Sequence, residues 1–216
     1  MIHPHTFGKY RLIRKLPGGA MGTVYQAIDT TANVMVALKL IDHGTDADTR
    51  EILEAERRGA TLHERLSRLD ERIPKIHEYG DLDGHFYLAM EFVEGHDLAE
   101  LLSGGGIGVP FATRIAADVC GVLEHAHNLQ YQFGGQEYHG VVHGDIKPRN
   151  IRITSGGAVK LLDFGIAKAL SETRMYTRNL FGSVQYSSPE RLKSGDVDAS
   201  SDLWAVAVVL YEAVAH

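Results

Sequence analysis

Hydrophobic and polar positions alternate in the N-terminal part of this chain and give way to three- and four-residue steps further on. Residues 10–16 and 23–28 read as strands flanking a glycine-rich turn, and 34–41 is an apolar, partly β-branched run without a breaker. A helix follows, because Ile52, Ala55, Gly59, Leu62, Leu66 and Leu69 fall on one stripe at alternating steps of three and four. Residues 76–79 and 86–92 are two more strands, with 81–84 as their turn. Past Glu94-Gly95 the pattern changes. A short helix over 97–102 stops at Gly104-Gly105-Gly106, and 111–128 is long, apolar and helical. The polar, aromatic stretch 129–140 reads as a loop. Residues 151–154 and 159–162 form a hairpin across Ser155-Gly156-Gly157. Residues 201–215 are apolar on nearly every side, the pattern of a fully buried helix. No internal repeat is present. The expected class is α+β: an antiparallel sheet with one helix over residues 1–93, then a mostly helical part over 94–216.

Composition narrows the field without changing that outline. The chain has 216 residues, of which 44% are hydrophobic and 23% charged, values ordinary for a globular protein. A formal charge of −6 argues against general nucleic-acid or membrane-surface binding, which needs a basic excess. The one cysteine, Cys120, suits a reducing compartment and is expected in the core of its helix. The segment Met1-Ile2-His3-Pro4-His5 has no apolar stretch of a signal peptide, and no apolar run reaches spanning length. A cytoplasmic protein is expected.

The hairpin carries the first chemical signal. Asn150 precedes one strand and Asp163 follows the other, so antiparallel pairing brings an amide oxygen and a carboxylate to neighbouring positions. Such a pair suits a hard cation like Mg²⁺. Asp145 and Lys147 lie on the same irregular loop. Each residue alone reads as a cap or turn former; together they gather a base, a cation and two metal ligands.

His143-Gly144-Asp145-Ile146-Lys147-Pro148-Arg149-Asn150, followed by Asp163-Phe164-Gly165, resembles the catalytic loop and metal-binding motif of protein kinases. The resemblance implies a two-lobed fold using ATP and Mg²⁺ on a protein substrate. It implies that Asp145 accepts the proton of the substrate hydroxyl, that Lys147 steadies the transferring charge, and that Asn150 and Asp163 hold the metal. Leu16-Pro17-Gly18-Gly19-Ala20-Met21-Gly22-Thr23-Val24 is similar to the kinase glycine-rich loop, so Leu16, Gly18, Gly19, Ala20, Gly22 and Val24 are expected at the nucleotide. In Val36-Ala37-Leu38-Lys39 the two-residue period sets Ala37 and Lys39 on one face. There Ala37 leaves room for adenine and Lys39 reaches the phosphates. Glu54 and Glu56 are both candidates for the acidic partner of Lys39, and Glu56 lies closer in angle to the apolar stripe. Tyr87-Leu88-Ala89-Met90-Glu91-Phe92-Val93-Glu94-Gly95 resembles the strand and linker between lobes. Met90 is then the gatekeeper, Glu91 and Val93 meet the adenine edge, and Asp97 is a ribose contact or a helix cap. Gly182-Ser183-Val184-Gln185-Tyr186-Ser187-Ser188-Pro189-Glu190 looks like the end of an activation segment. Asp202-Leu203-Trp204 looks like the central helix whose aspartate braces the catalytic loop. Lys147, and the loop Ala20-Met21-Gly22, look most like bacterial eukaryotic-like serine/threonine kinases.

The chain departs from the pattern in places. Pro17 replaces the first loop glycine and stiffens that edge. Gly144 replaces an arginine that grips a phosphorylated activation segment in other kinases, so activity is expected to depend little on phosphate at Ser171, Thr173, Tyr176 or Thr177. Ser188 stands where alanine is usual, and extra residues appear over 67–72 and 129–140. The resemblance implies further helices after the central one, while the sequence stops at His216. An incomplete helical lobe is expected, with an apolar face near Trp204 covered by a missing region or a partner. Two other readings stay open: a small-molecule kinase of the aminoglycoside type, which also uses His-Gly-Asp, and a non-catalytic nucleotide-binding module. His125 and His127, two apart on one helix, have no ligand spacing.

Overall fold

A computed structural model describes residues 6–17, 22–44, 47–133, 135–164 and 184–215. Six strands form one antiparallel sheet: β1 (Thr6–Phe7), β2 (Tyr10–Lys15), β3 (Thr23–Asp29), β4 (Val34–Asp42), β5 (Ile76–Leu82) and β6 (His85–Glu91). Their order is β1-β2-β3-β4-β6-β5, and helix α1 (Ala47–Leu69) crosses from β4 to β5. Strand alternation gives the sheet two apolar faces. Phe7, Tyr10, Ala27, Val36, Leu38 and Ala89 pack on one. Ile41, Phe86, Leu88 and Met90 pack on the other, against Leu53 and Ala60 of α1. Burying a side chain such as Leu38 contributes roughly 2 kcal/mol, so the two faces fix the register that positions Lys39.

The helical part begins after a linker that turns at Gly95. Its φ is 137°, and a Cβ there would lie 2.1 Å from the Ile153 carbonyl, so glycine alone fits. Strand β7 (His96–Asp97) pairs with β10 (Ile151–Ile153), which pairs with β11 (Val159–Leu161). Helices α2 (Leu98–Leu102), α3 (Val109–His127), α4 (Pro189–Ser194) and α5 (Ala199–Val214) complete it. Ile115, Val119 and Leu123 of α3 meet Val206 and Val209 of α5 and Ile151 and Leu161 of the small sheet in one core. Leu62 and Leu66 of α1, with Ile73, join this core, so α1 spans both halves.

Three sequence expectations are corrected. Residues 129–140 are not a loop but a hairpin, β8 (Gln130–Phe133) paired with β9 (Gln136–His139), with the Tyr131 and Tyr138 rings stacked at 5.3 Å. Polar residues on both strands hid them: β9 is exposed throughout, while Tyr131 of β8 packs, partly buried, against the helical core. Cys120 is exposed, since the buried stripe of α3 runs through Val119, Val122 and Leu123 and turns Cys120 outward. Helix α5 is not buried all round. Ala205, Val206, Val209 and Ala213 face α3, while Leu203, Trp204 and Tyr211 are exposed. That is the apolar face anticipated near Trp204. Among the described residues no helix is long and apolar enough to cross a membrane.

Candidate active site

Strand β4 and helix α1 meet at one ion pair. Lys39 Nζ lies 2.6 Å from Glu56 Oε1, and the glutamate side chain is 8% exposed. Glu54 instead points to solvent and pairs with Arg58, one turn along the helix. The sheet register sets Val24 opposite Lys39 and Ala37 opposite Met90, so these four share the face that holds α1. Gly22 comes immediately before β3, where a Cβ would crowd the Leu40 carbonyl at 2.7 Å. Leu16 N–H donates to the Val24 carbonyl at 2.8 Å, closing the base of the glycine-rich turn. Gly18, Gly19, Ala20 and Met21 lie outside the described residues, as do Gly165, residues 166–183 with Ser171, Thr173, Tyr176 and Thr177, and His3 and His5.

The loop between β9 and β10 is held from three sides. Asp202, at the start of α5 and 1% exposed, accepts the backbone N–H groups of His143 and Gly144, each at 2.8 Å. His127, the last residue of α3, adds a third contact to the same carboxylate at 2.9 Å. His143 is buried, and burial pushes its imidazole below the ordinary value. It is the neutral tautomer, with Nδ1 accepting from Asp145 N–H at 3.2 Å and Nε2–H donating to the Leu162 carbonyl at 3.0 Å. Arg191 of α4 donates to the Gly144 carbonyl at 2.7 Å. Gly144 has φ of 70°, a left-handed conformation that a residue with a Cβ adopts only at a cost.

This frame aims the polar groups at one point. Lys147 Nζ lies 2.8 Å from Asp145 Oδ2. Asn150 Nδ2 donates to the Asp145 carbonyl at 2.7 Å and to its Oδ2 at 3.1 Å. With its nitrogen committed, the Asn150 amide oxygen is turned away from Asp145. The register sets Leu162, rather than Asp163, across from Asn150, through Leu162 N–H to the Asn150 carbonyl at 2.7 Å. Asp163 follows with φ of 50°, which swings its exposed carboxylate out of the strand. Among the described residues Asp163 has no hydrogen-bond or ion-pair partner. An amide oxygen and a carboxylate are the donor types that a small hard cation takes. Phe164 packs on His143 at 4.7 Å and on His63 of α1 at 6.2 Å between ring centroids. Burial pushes the His63 imidazole below its ordinary value, while the Asp163 carboxylate works slightly against that and the Lys39 ammonium slightly with it.

The linker side carries groups that the sequence alone did not single out. Arg152 of β10 donates Nε–H to the Val93 carbonyl at 2.7 Å and Nη2–H to the Gly95 carbonyl at 2.6 Å. Lys160 of β11 lies 2.7 Å from Glu91 Oε1 and donates to the Glu71 carbonyl. Asp97 caps α2 in a reciprocal box: it accepts Glu100 N–H at 2.8 Å and donates its own N–H to Glu100 Oε2 at 3.1 Å. His127, Arg152 and Arg191 reach partners far along the chain, and local spacing holds no trace of those contacts. For Arg152 one signal existed, since strand alternation turns it away from the core that takes Ile151 and Ile153.

Known proteins are similar to this sequence. A model of the protein kinase domain matches residues 10–216. The serine/threonine-protein kinase PrkC of Bacillus subtilis is 37% identical over 98% of the chain and 31% of its own length. The probable serine/threonine-protein kinase PknB of Lactococcus lactis is 33% identical over 94% of the chain and 31% of its own length. PknE of Mycobacterium bovis, also a serine/threonine-protein kinase, is 35% identical over 95% and 34%. The chain thus spans about a third of the length of these relatives.

Proposed function

This chain belongs to the protein kinase family, and on that premise we propose that it moves the γ-phosphoryl group of ATP to serine or threonine hydroxyls of proteins. The observations that support the reading are the Asp145–Lys147–Asn150 cluster on one loop and the Lys39–Glu56 pair; with Asp163 these groups would surround one nucleotide space. Residues 1–93 and 94–216 act as the two lobes on either side of it.

Phosphoryl transfer is mostly positioning and charge neutralisation. Val24, Ala37 and Met90 line the roof and back of the base site, and the backbone of Glu91 and Val93 offers it an edge. Leu16, Gly18, Gly19, Ala20 and Gly22 close over the phosphates, and Asp97 reaches the ribose while capping α2. Glu56 keeps the Lys39 ammonium extended toward the α- and β-phosphates. Asp145 orients the substrate hydroxyl and accepts its proton as the new bond forms. Lys147, already beside Asp145, neutralises charge on the moving phosphoryl group. The Asn150 amide oxygen and the Asp163 carboxylate would hold Mg²⁺. That ion, when bound, neutralises charge across the phosphate oxygens. The serine/threonine preference rests on Lys147 two residues after Asp145 and on the likeness to serine/threonine-protein kinases.

Nucleotide binding tests the site separately from catalysis. Calorimetric titration with ATP is expected to give binding to the wild type that weakens when Mg²⁺ is removed by a chelator. Lys39→Met and Asp163→Asn should each bind Mg·ATP at least about tenfold more weakly, the loss of one charged hydrogen bond or more. Equal affinity in all three proteins would remove these residues from the nucleotide site.

A further inference from the structure

Arg152 has a placement that the catalytic machinery leaves unexplained. Strand β10 has three residues, and Ile151 and Ile153 are 1% and 6% exposed in the helical core. Arg152 therefore leaves the strand on the opposite side, toward the linker. Lys160, its register partner on β11, leaves on the same side and is tied to Glu91. The guanidinium donates two hydrogen bonds, to the carbonyls of Val93 and Gly95. Two planar donors matched to alternate carbonyls fix the plane of the group as a single lysine could not.

We infer that Arg152 is a specificity-determining residue of the base site, which engages the Val93 carbonyl and so makes it a poorer acceptor for the nucleotide base. The inference rests on the nucleotide reading above. A purine that takes the Val93 N–H at its N1 sets its C2 edge beside the same residue's carbonyl, as paired backbone edges do. An amino group at C2 would donate to that carbonyl if it were open. Here the carbonyl already accepts from Arg152 at 2.7 Å. A base with hydrogen at C2, such as adenine, has nothing to donate there and loses nothing. A 2-amino purine must share the second lone pair of that oxygen with a cation already bound to it, or displace the guanidinium, which would strip a charged group of its partners.

The test compares Mg·ATP with its 2-amino analogue, the 2,6-diaminopurine nucleoside triphosphate, by calorimetry on wild type and Arg152→Met. The wild type is expected to bind the analogue no more tightly than about twofold relative to ATP, whereas the variant should prefer it by roughly fivefold or more. A role confined to holding the linker would shift both nucleotides together and leave their ratio unchanged; an unchanged ratio overturns the inference. Arg152→Lys keeps a cation but offers no planar fork, so it should move the ratio the same way if Arg152→Met fails to fold. Failure of both nucleotides to bind the wild type removes the nucleotide reading, and this inference with it.

Discussion

Buried histidines show how single residues set the behaviour of the site. His143 bridges Asp145 N–H and the Leu162 carbonyl as a neutral ring, and His63 bonds the Pro74 carbonyl at 2.7 Å beside Phe164. Burial pushes both imidazoles below the ordinary value. With folded values depressed, the stability they give is complete above the unfolded value, about pH 6.5, and is lost as pH falls toward the folded values. Each contributes a slope of up to about 1.4 kcal/mol per pH unit in that window. Urea unfolding from pH 7.5 to 5 should therefore show falling stability below about pH 6.5. His63→Gln keeps a donor to Pro74 and removes one proton, so it should flatten the slope; an unchanged slope would place His63 outside the linkage. At this scale the sequence was legible where the neighbours are local. The choice between Glu54 and Glu56 followed from angle on a helix, and it is Glu56 that reaches Lys39. His127 and Arg191 were not legible as supports of the catalytic loop, because their partners come from other helices or from the loop itself.

Elements were readable in proportion to how strongly burial enforced their period. The sheet strands alternate against two apolar faces, so a slip by one residue would expose an entire face. Their positions in the sequence follow. The hairpin β8–β9 has no such enforcement, and its aromatic stack escaped a reading based on polarity. It stands on a closed base: Gly140 N–H donates to the Leu129 carbonyl and Val141 N–H to the Ala126 carbonyl, each at 2.8 Å. Replacing residues 130–139 by a two-residue Asn-Gly turn should thus leave the thermal midpoint within about 4 °C of wild type, the equivalent of about 1 kcal/mol. A much larger fall would show that the hairpin supports the core after all. Helix α5 shows the opposite limit. Its sequence is apolar throughout, and only the approach of α3 decides which stripe is covered.

Across the whole molecule, α1 and the turn after it tie the two halves together. Asp70 accepts a forked pair of hydrogen bonds from Arg72, at 2.9 and 2.6 Å, and is 2.9 Å from His125 of α3. Desolvation would raise its carboxyl, but the Arg72 bonds outweigh it and hold the value near about 2. Arg72 reaches on to the Asp118 carbonyl, and its own carbonyl accepts Leu161 N–H from β11. Residues 67–72, without a role in the sequence reading, thus include the Asp70–Arg72 pair that joins the end of α1 to the helical half. One end of α1 is set by this anchor and the middle by Glu56. Lys39 is therefore held by a helix that packs on both halves. The most direct test of that arrangement is transfer itself. The protein is incubated with Mg·ATP and a basic protein substrate, and acid-stable phosphoserine and phosphothreonine are quantified by mass spectrometry. Wild type should accumulate both, and Asp145→Asn should do so at least about 100-fold more slowly, the scale of a lost general base. Equal labelling by the two proteins, or none by wild type that binds Mg·ATP, would contradict the account.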